Sequence, residues 1–171
     1  FHDFERTMRL NYFAAVRLIL ALAPRMIEGG GGHIVNVSSM GVQTSAPEFA
    51  AYCASKAALD AFSRAVMTEL GLHEPLRITT IQMGLVRTPM ISPNKVYKAY
   101  PALTPAQAAD MVCEAIVRRP LKISNAIGTM TEVFYAIAPE ALKRFYDFGH
   151  ARFQRDMARK LKKIEEAEEG A

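Results

Sequence analysis

The sequence predicts an α/β fold in which helices flank a parallel sheet. Two short, β-branched apolar runs, Ile34-Val-Asn-Val37 and Ile78-Thr-Thr-Ile-Gln82, each follow a long stretch of helical periodicity. The loops between these segments are short. Strands that alternate with helices across short loops are joined by crossovers and therefore lie parallel.

From the amino terminus, Asp3 to about Glu28 reads as one long helix, with apolar residues recurring at three and four positions (Met8, Tyr12, Phe13, Val16, Leu20). Asp3 is a candidate cap and Pro24 a candidate kink in the last turn. Apolar residues also occupy the remaining faces (Ala14, Ala15, Ile19, Leu22), which predicts burial on two sides. The cluster Gly29 to Gly32 reads as a helix stop and loop. The strand Ile34 to Val37 is expected to be covered on both faces. A loop from Met40 to about Pro47 leads into a second long helix, about 50–72, and then the strand Ile78 to Gln82. Residues 87–100 break the pattern with Pro89, Ser92, Pro93, Asn94 and Lys95. Thr104-Pro-Ala-Gln107 is a capping box with proline at the first helical position, so a third helix runs to about Arg118. Ile123 to Ile127 is expected as a last short strand, and Pro139 to about Lys163 as a helix ending in a charged tail over 151–171.

With 171 residues, half of them apolar and 22% charged, the composition is that of a soluble globular domain. A formal charge of +4 suggests nothing about nucleic acid, because the cations of Arg152 to Lys163 are followed at once by Glu165, Glu166, Glu168 and Glu169. The apolar stretch Ala14 to Met26 is interrupted by Arg17, Pro24 and Arg25 and reads as too short for a membrane span. Cys53 and Cys113 have no partner spacing and read as packed or partly exposed thiols of a reducing, cytoplasmic compartment. His2, His33, His73 and His150 are scattered, so no metal site is expected.

The chemistry concentrates in Ser39, Tyr52 and Lys56. Tyr52 and Lys56 are four residues apart, so on a helix the phenol and the ammonium share one face. Ser39 lies thirteen residues before the tyrosine, at the carboxyl end of a buried strand, the rim at which open α/β sheets bind ligands. A hydroxyl, a phenol and an ammonium in one crevice can pass a proton to or from a carbonyl oxygen. Ser38 competes with Ser39 for the serine role, and spacing favours Ser39.

This spacing resembles the short-chain dehydrogenase/reductase family. Asn11, within Met8-Arg-Leu-Asn-Tyr-Phe, sits where that family carries an active-site asparagine, and Ala51-Tyr-Cys-Ala-Ser-Lys-Ala-Ala-Leu59 is similar to its active-site helix. Met83-Gly-Leu-Val-Arg-Thr88 resembles the segment after its next strand, with Met83 in place of a proline. Finer matches, Leu85-Val-Arg-Thr-Pro-Met90 and Leu103-Thr-Pro, are similar to the dehydrogenase domain of bacterial two-domain fatty acyl-CoA reductases.

The resemblance implies a doubly wound, Rossmann-like sheet. Residues 1–150 then form the carboxyl-terminal part of the domain, with its amino-terminal half missing upstream of Phe1. No strand–glycine turn–helix phosphate motif is present, in keeping with that expectation. It implies NAD or NADP as cofactor, with a lean to NADP, and a hydride exchanged with a small carbonyl or alcohol. Tyr52 would be the acid/base and Lys56 would lower its pKa and bond the nicotinamide ribose. Ser39 would orient the substrate oxygen, Asn11 would hold a water beside Lys56, and Gly84, Val86 and Thr88 would abut the nicotinamide. Met90, Ile91, Val96 and Tyr97 would form a lid over an apolar substrate. The long helices at 4–28 and 50–72 would pack against their copies in a homo-oligomer. A second reading stays open at this point: without its dinucleotide half the chain is a structural or oligomerisation piece of a larger dehydrogenase.

Overall fold

The computed structural model describes residues 1–45, 48–70, 75–93, 97, 100–147 and 158–159. Its elements are α1 (His2–Met8), a π-helical turn (Arg9–Phe13), α2 (Ala14–Glu28), β1 (Gly32–Ser39), α3 (Gly41–Thr44), α4 (Ala50–Leu70), β2 (Leu76–Met83), α5 (Pro105–Arg118), β3 (Lys122–Ile123) and α6 (Ala126–Ile137). The three strands are parallel in the order β1–β2–β3, with Ile34 opposite Ile78 and Val37 opposite Ile81. A parallel sheet flanked by helices is the α/β arrangement that the sequence predicts, and three strands in this order are a part of a doubly wound sheet.

The core lies on β2, where Ile78, Thr79 and Ile81 are essentially inaccessible. That central position explains its continuous β-branched run, since both faces are covered. β1 differs from expectation. Asn36 and Ser38 are buried, but Val37 is 43% exposed and β1 pairs only with β2 among the described residues. The buried face is the one beneath α4, where Asn36 Nδ2 donates to Ser63 Oγ at 2.9 Å.

Residues 2–28 are one continuous helical stretch, as predicted, but its cap and burial are not. Phe1 occupies the capping position and no side chain caps the end, whereas Asp3 lies inside the helix beside Arg6. Of α2 only Ile19 is buried, and Leu10, Leu18 and Leu20 are well exposed. The described chain meets this stretch with α4, through Thr7, Asn11 and Tyr12, and with the sheet, where α2 packs on β1 and β2, so an all-round apolar pattern is only partly covered. His2–Glu28 is also long and apolar enough, by length and composition, to cross a membrane, which corrects the sequence estimate.

Gly29 ends α2, and Gly30 and Gly31 adopt φ of 90° and 125°, conformations open to glycine. At Gly31 a Cβ would also stand 2.6 Å from the Pro75 carbonyl oxygen. Thr104 and Gln107 form the predicted capping box. The expected strand at Ile123 to Ile127 is a correction: only Lys122–Ile123 pair, because the Asn125 side chain accepts from Gly128 N at 2.7 Å and starts α6. Likewise the expected loop after Met40 contains α3. Residues 139–147 are helical, while most of the tail at 151–171 and the helix end at 71–72 lie outside the described residues.

Candidate active site

Lys56 fixes the geometry. Its Nζ donates to the Val37 carbonyl at 2.8 Å, which ties the second turn of α4 to the carboxyl end of β1. The same ammonium stands 6.0 Å from the centroid of the Tyr52 ring. The i,i+4 spacing on α4 therefore does bring phenol and ammonium together. Burial pushes the Lys56 pKa below the ordinary lysine value, and a charge on Asp60 one turn on would act in the opposite direction. Phe49 meets Tyr52 edge-on at 6.4 Å and fixes the ring from the other side.

Strand alternation separates the two serines. Ser38 is 2% exposed and shares the buried face with Asn36, whereas Ser39 is the half-buried last residue of β1. Ser39 Oγ accepts from Gly41 N at 3.1 Å, so the first turn of α3 holds it, and its own hydroxyl proton is left to donate. Cys53 Sγ lies 3.4 Å from the Gly41 carbonyl and closes α3 against α4. A cleft of about 440 Å³ opens there, lined by Gly41, Val42, Cys53 and Ala57 among others.

Asn11 falls in the π-helical turn, a feature frequent at functional sites. Its Nδ2 donates to Ser55 Oγ at 3.0 Å, and Ser55 Oγ donates to the Tyr52 carbonyl at 2.7 Å. The carboxamide thus braces α4 behind Tyr52, where the resemblance implies a water held beside Lys56. Ser55 is fully buried and was not singled out beforehand; lying between Tyr52 and Lys56 was its one available signal.

The segment after β2 is held by Leu103, which donates to the Leu85 carbonyl at 2.7 Å and accepts from Arg87 N at 2.9 Å, flanking a parallel bridge to Val86. Gly84 and Thr88 lie on either side of that bridge, both half-buried. A Cβ on Gly84 would meet Leu103 only at 3.7 Å, an ordinary contact, so nothing among the described residues demands glycine there. Of the expected lid, Met90 is 89% exposed, Ile91 and Tyr97 are half-buried, and Val96 lies outside the described residues. Among the described residues no group of three or more His, Cys, Asp and Glu could hold a metal.

A family model described as short chain dehydrogenase matches residues 1–97, more than half of the chain. The chain belongs to the short-chain dehydrogenase family. It is 56% identical over 140 residues to a fatty acyl-CoA reductase of Acinetobacter baylyi, an alignment that covers 82% of this chain and 47% of that protein. A short-chain dehydrogenase from Burkholderia cenocepacia, solved in complex with NADP, superimposes with a TM-score of 0.66 at 26% identity, covering 79% of this chain and 55% of that one. A 3-oxoacyl-[acyl-carrier protein] reductase from Brucella melitensis, solved with bound NAD, has a TM-score of 0.55 at 30% identity over 66% of this chain and 44% of that one. The chain spans about half the length of the curated relatives it matches.

Tested on the geometry, the described residues fit the nicotinamide end of a dinucleotide. They offer an ammonium with donors to spare, a phenol beside it and a backbone-lined exit from β2. They do not fit its phosphates, since the glycines at 29–32 follow a helix and precede a strand, the reverse of a phosphate-binding turn.

Proposed function

We propose that the chain forms the acid–base and nicotinamide-side part of an NAD(P)-dependent oxidoreductase that exchanges a hydride with a carbonyl or alcohol. The observation that carries this reading is Lys56, held by Val37 within 2.8 Å at the strand end and one helical turn from Tyr52. When bound, the cofactor supplies or accepts the hydride. The Tyr52 hydroxyl gives a proton to the substrate oxygen or takes one from it. One of the three N–H groups of Lys56 goes to Val37, which leaves two for the ribose hydroxyls. Ser39 donates to the substrate oxygen and orients it. Asn11, through Ser55, keeps the first turns of α4 in place. Gly84, Val86 and Thr88 face the carboxamide, with Met90, Ile91 and Tyr97 over the substrate. One solved neighbour carries NADP and another NAD, which supports a nicotinamide dinucleotide as the cofactor class.

An apolar acyl or aldehyde substrate is supported by the names of the similar fatty acyl-CoA reductases and by the exposed Met90. The exposed Leu10, Leu18 and Leu20 support a homo-oligomer through 4–28 and 50–72, and Cys53 and Cys113, neither in a disulfide, support a cytoplasmic setting.

The test is Lys56→Ala in the active enzyme, assayed with NADPH and NADH against fatty acyl-CoA, fatty aldehyde and ketone. Turnover should fall and cofactor affinity should weaken together; unchanged cofactor affinity would take Lys56 off the ribose. The 171-residue chain by itself should bind either dinucleotide more weakly than micromolar, because its sequence holds no phosphate-binding turn. Micromolar binding in a fluorescence titration of that chain would contradict this.

A further inference from the structure

Beneath Lys56 lies a buried polar cluster with no part in the chemistry above. Asp60 stands one turn further along α4 and is 3% exposed, against Gln82 on β2 and Ser38 on β1, which lie opposite each other in register. Gln82 Nε2 donates to Asp60 Oδ2 at 2.6 Å. The two other oxygens of that pair, Asp60 Oδ1 and Gln82 Oε1, are buried without a hydrogen-bond partner, and so is Ser38 Oγ.

A buried acceptor left unsatisfied costs about 1–3 kcal/mol. One proton removes the problem, because a protonated carboxyl donates as well as accepts. Asp60 Oδ1–H can then donate to Gln82 Oε1 while Asp60 Oδ2 accepts from Gln82 Nε2, closing a two-bond ring between acid and amide. The Ser38 hydroxyl can still turn toward the same carboxyl. An ionised Asp60 could accept from Ser38, but it would leave Gln82 Oε1 with no donor. Turning the amide round changes nothing, since 2.6 Å would then separate two oxygens that only a shared proton holds together.

We propose that Asp60 is a neutral carboxylic acid at neutral pH, closed on Gln82, and that it acts as a positioning residue for Lys56 by withholding a counter-charge. The importance given to Lys56 rests on the proposed function; the protonation of Asp60 does not. No ion pair joins the two side chains, and the Lys56 ammonium turns to the Val37 carbonyl instead. The groups around Asp60 are Lys56 and Arg64 on its own helix, Ser38 on β1, Gln82 on β2 and Lys122 from β3. Burial is the largest influence on the carboxyl and raises its pKa, opposed by the nearby Ser38 hydroxyl, the charges of Arg64 and Lys122 and the bond from Gln82. Lys122 is itself engaged with Glu132 at 2.6 Å. An ammonium without a carboxylate partner releases its proton more readily, which suits a group that passes protons beside Tyr52.

The test uses this chain and needs no turnover. Infrared spectra at pH 7, taken with isotope-labelled aspartate carboxyls, should contain the carbonyl stretch of one protonated acid, since the described Asp3, Asp110 and Asp147 are exposed. Absence of that band in the folded chain overturns the proposal, whether or not any variant folds. In Asp60→Asn the amide reproduces both bonds to Gln82, the band should vanish, and the Lys56 titration midpoint followed by NMR should stay in place. A fall of about one unit or more at Lys56 would mean that Asp60 is a carboxylate, and would overturn it. The sign of the pH dependence gives a third readout. A raised folded-state pKa contributes stability that is complete below the unfolded value near 3.8 and is lost as pH rises through the folded value. The stability of Asp60→Asn relative to the parent should therefore grow from about pH 4 and still be growing at pH 7. A difference that has levelled off below pH 7 overturns the assignment.

Discussion

Tyr52→Phe in the active enzyme is expected to lower turnover by a factor of about 10² to 10⁴ while leaving cofactor affinity nearly unchanged, the range associated with loss of general acid–base catalysis. Only the hydroxyl is removed. The ring keeps its edge-on contact with Phe49 at 6.4 Å, and the backbone carbonyl of residue 52 still accepts from Ser55. Lys56 is held by Val37 rather than by the phenol oxygen, so its position survives the change. A stability loss therefore cannot stand in for the catalytic one, and thermal unfolding of the variant should match the parent. Retention of more than about a tenth of the turnover would remove Tyr52 from the acid/base role.

Tyr52 and Lys56 were legible because helical spacing is local: four residues decide which side chains share a face, and the surrounding fold only has to leave that face at the sheet rim. The same holds for the Thr104–Gln107 capping box and for the glycines that end α2. The choice between Ser38 and Ser39 needed the register of β1 under α4, which spacing alone does not supply. Asn11 shows the limit more sharply. Its position could be matched, but its partner Ser55 depends on how the π-helical turn crosses α4.

The missed elements have a common cause. Ile123 and Ile127 suggested a strand by β-branching, yet Asn125 between them caps a helix, and the cap prevails once its carboxamide takes the Gly128 N–H. Burial of α2 was overestimated because an apolar pattern states what a helix can bury, not how many layers a given chain sets against it. The Asp60–Gln82 pair joins residues 22 positions apart and depends on β2 lying centrally. In sequence its one hint was that Asp60 continues the Tyr52–Lys56 face by a further turn.

Gly128→Ala is expected to destabilise the fold by about 1–3 kcal/mol, although alanine is the better helix former by about 1 kcal/mol. An added Cβ would stand 2.2 Å from Gln43 Oε1 and 2.9 Å from Gln43 Cδ. A flexible side-chain end would ordinarily step aside, but Gln43 is 5% exposed and bonded at both ends. Its Nε2 donates to Glu132 Oε2 at 2.8 Å and its Oε1 accepts from Ser124 Oγ at 2.9 Å. Burial alone would raise the Glu132 pKa; the bonds from Lys122 and Gln43 outweigh it and hold the carboxylate ionised, so the acceptor on which Gln43 rests is a strong one. Moving Gln43 breaks these bonds and pushes on α3, whose first residue holds Ser39 Oγ. Denaturant midpoints of the two single variants and the double variant with Gln43→Ala separate the causes. With Gln43 already shortened, Gly128→Ala should become neutral or stabilising. If it stays as harmful in that background as in the parent, the close approach to Gln43 is not the reason for glycine at this position.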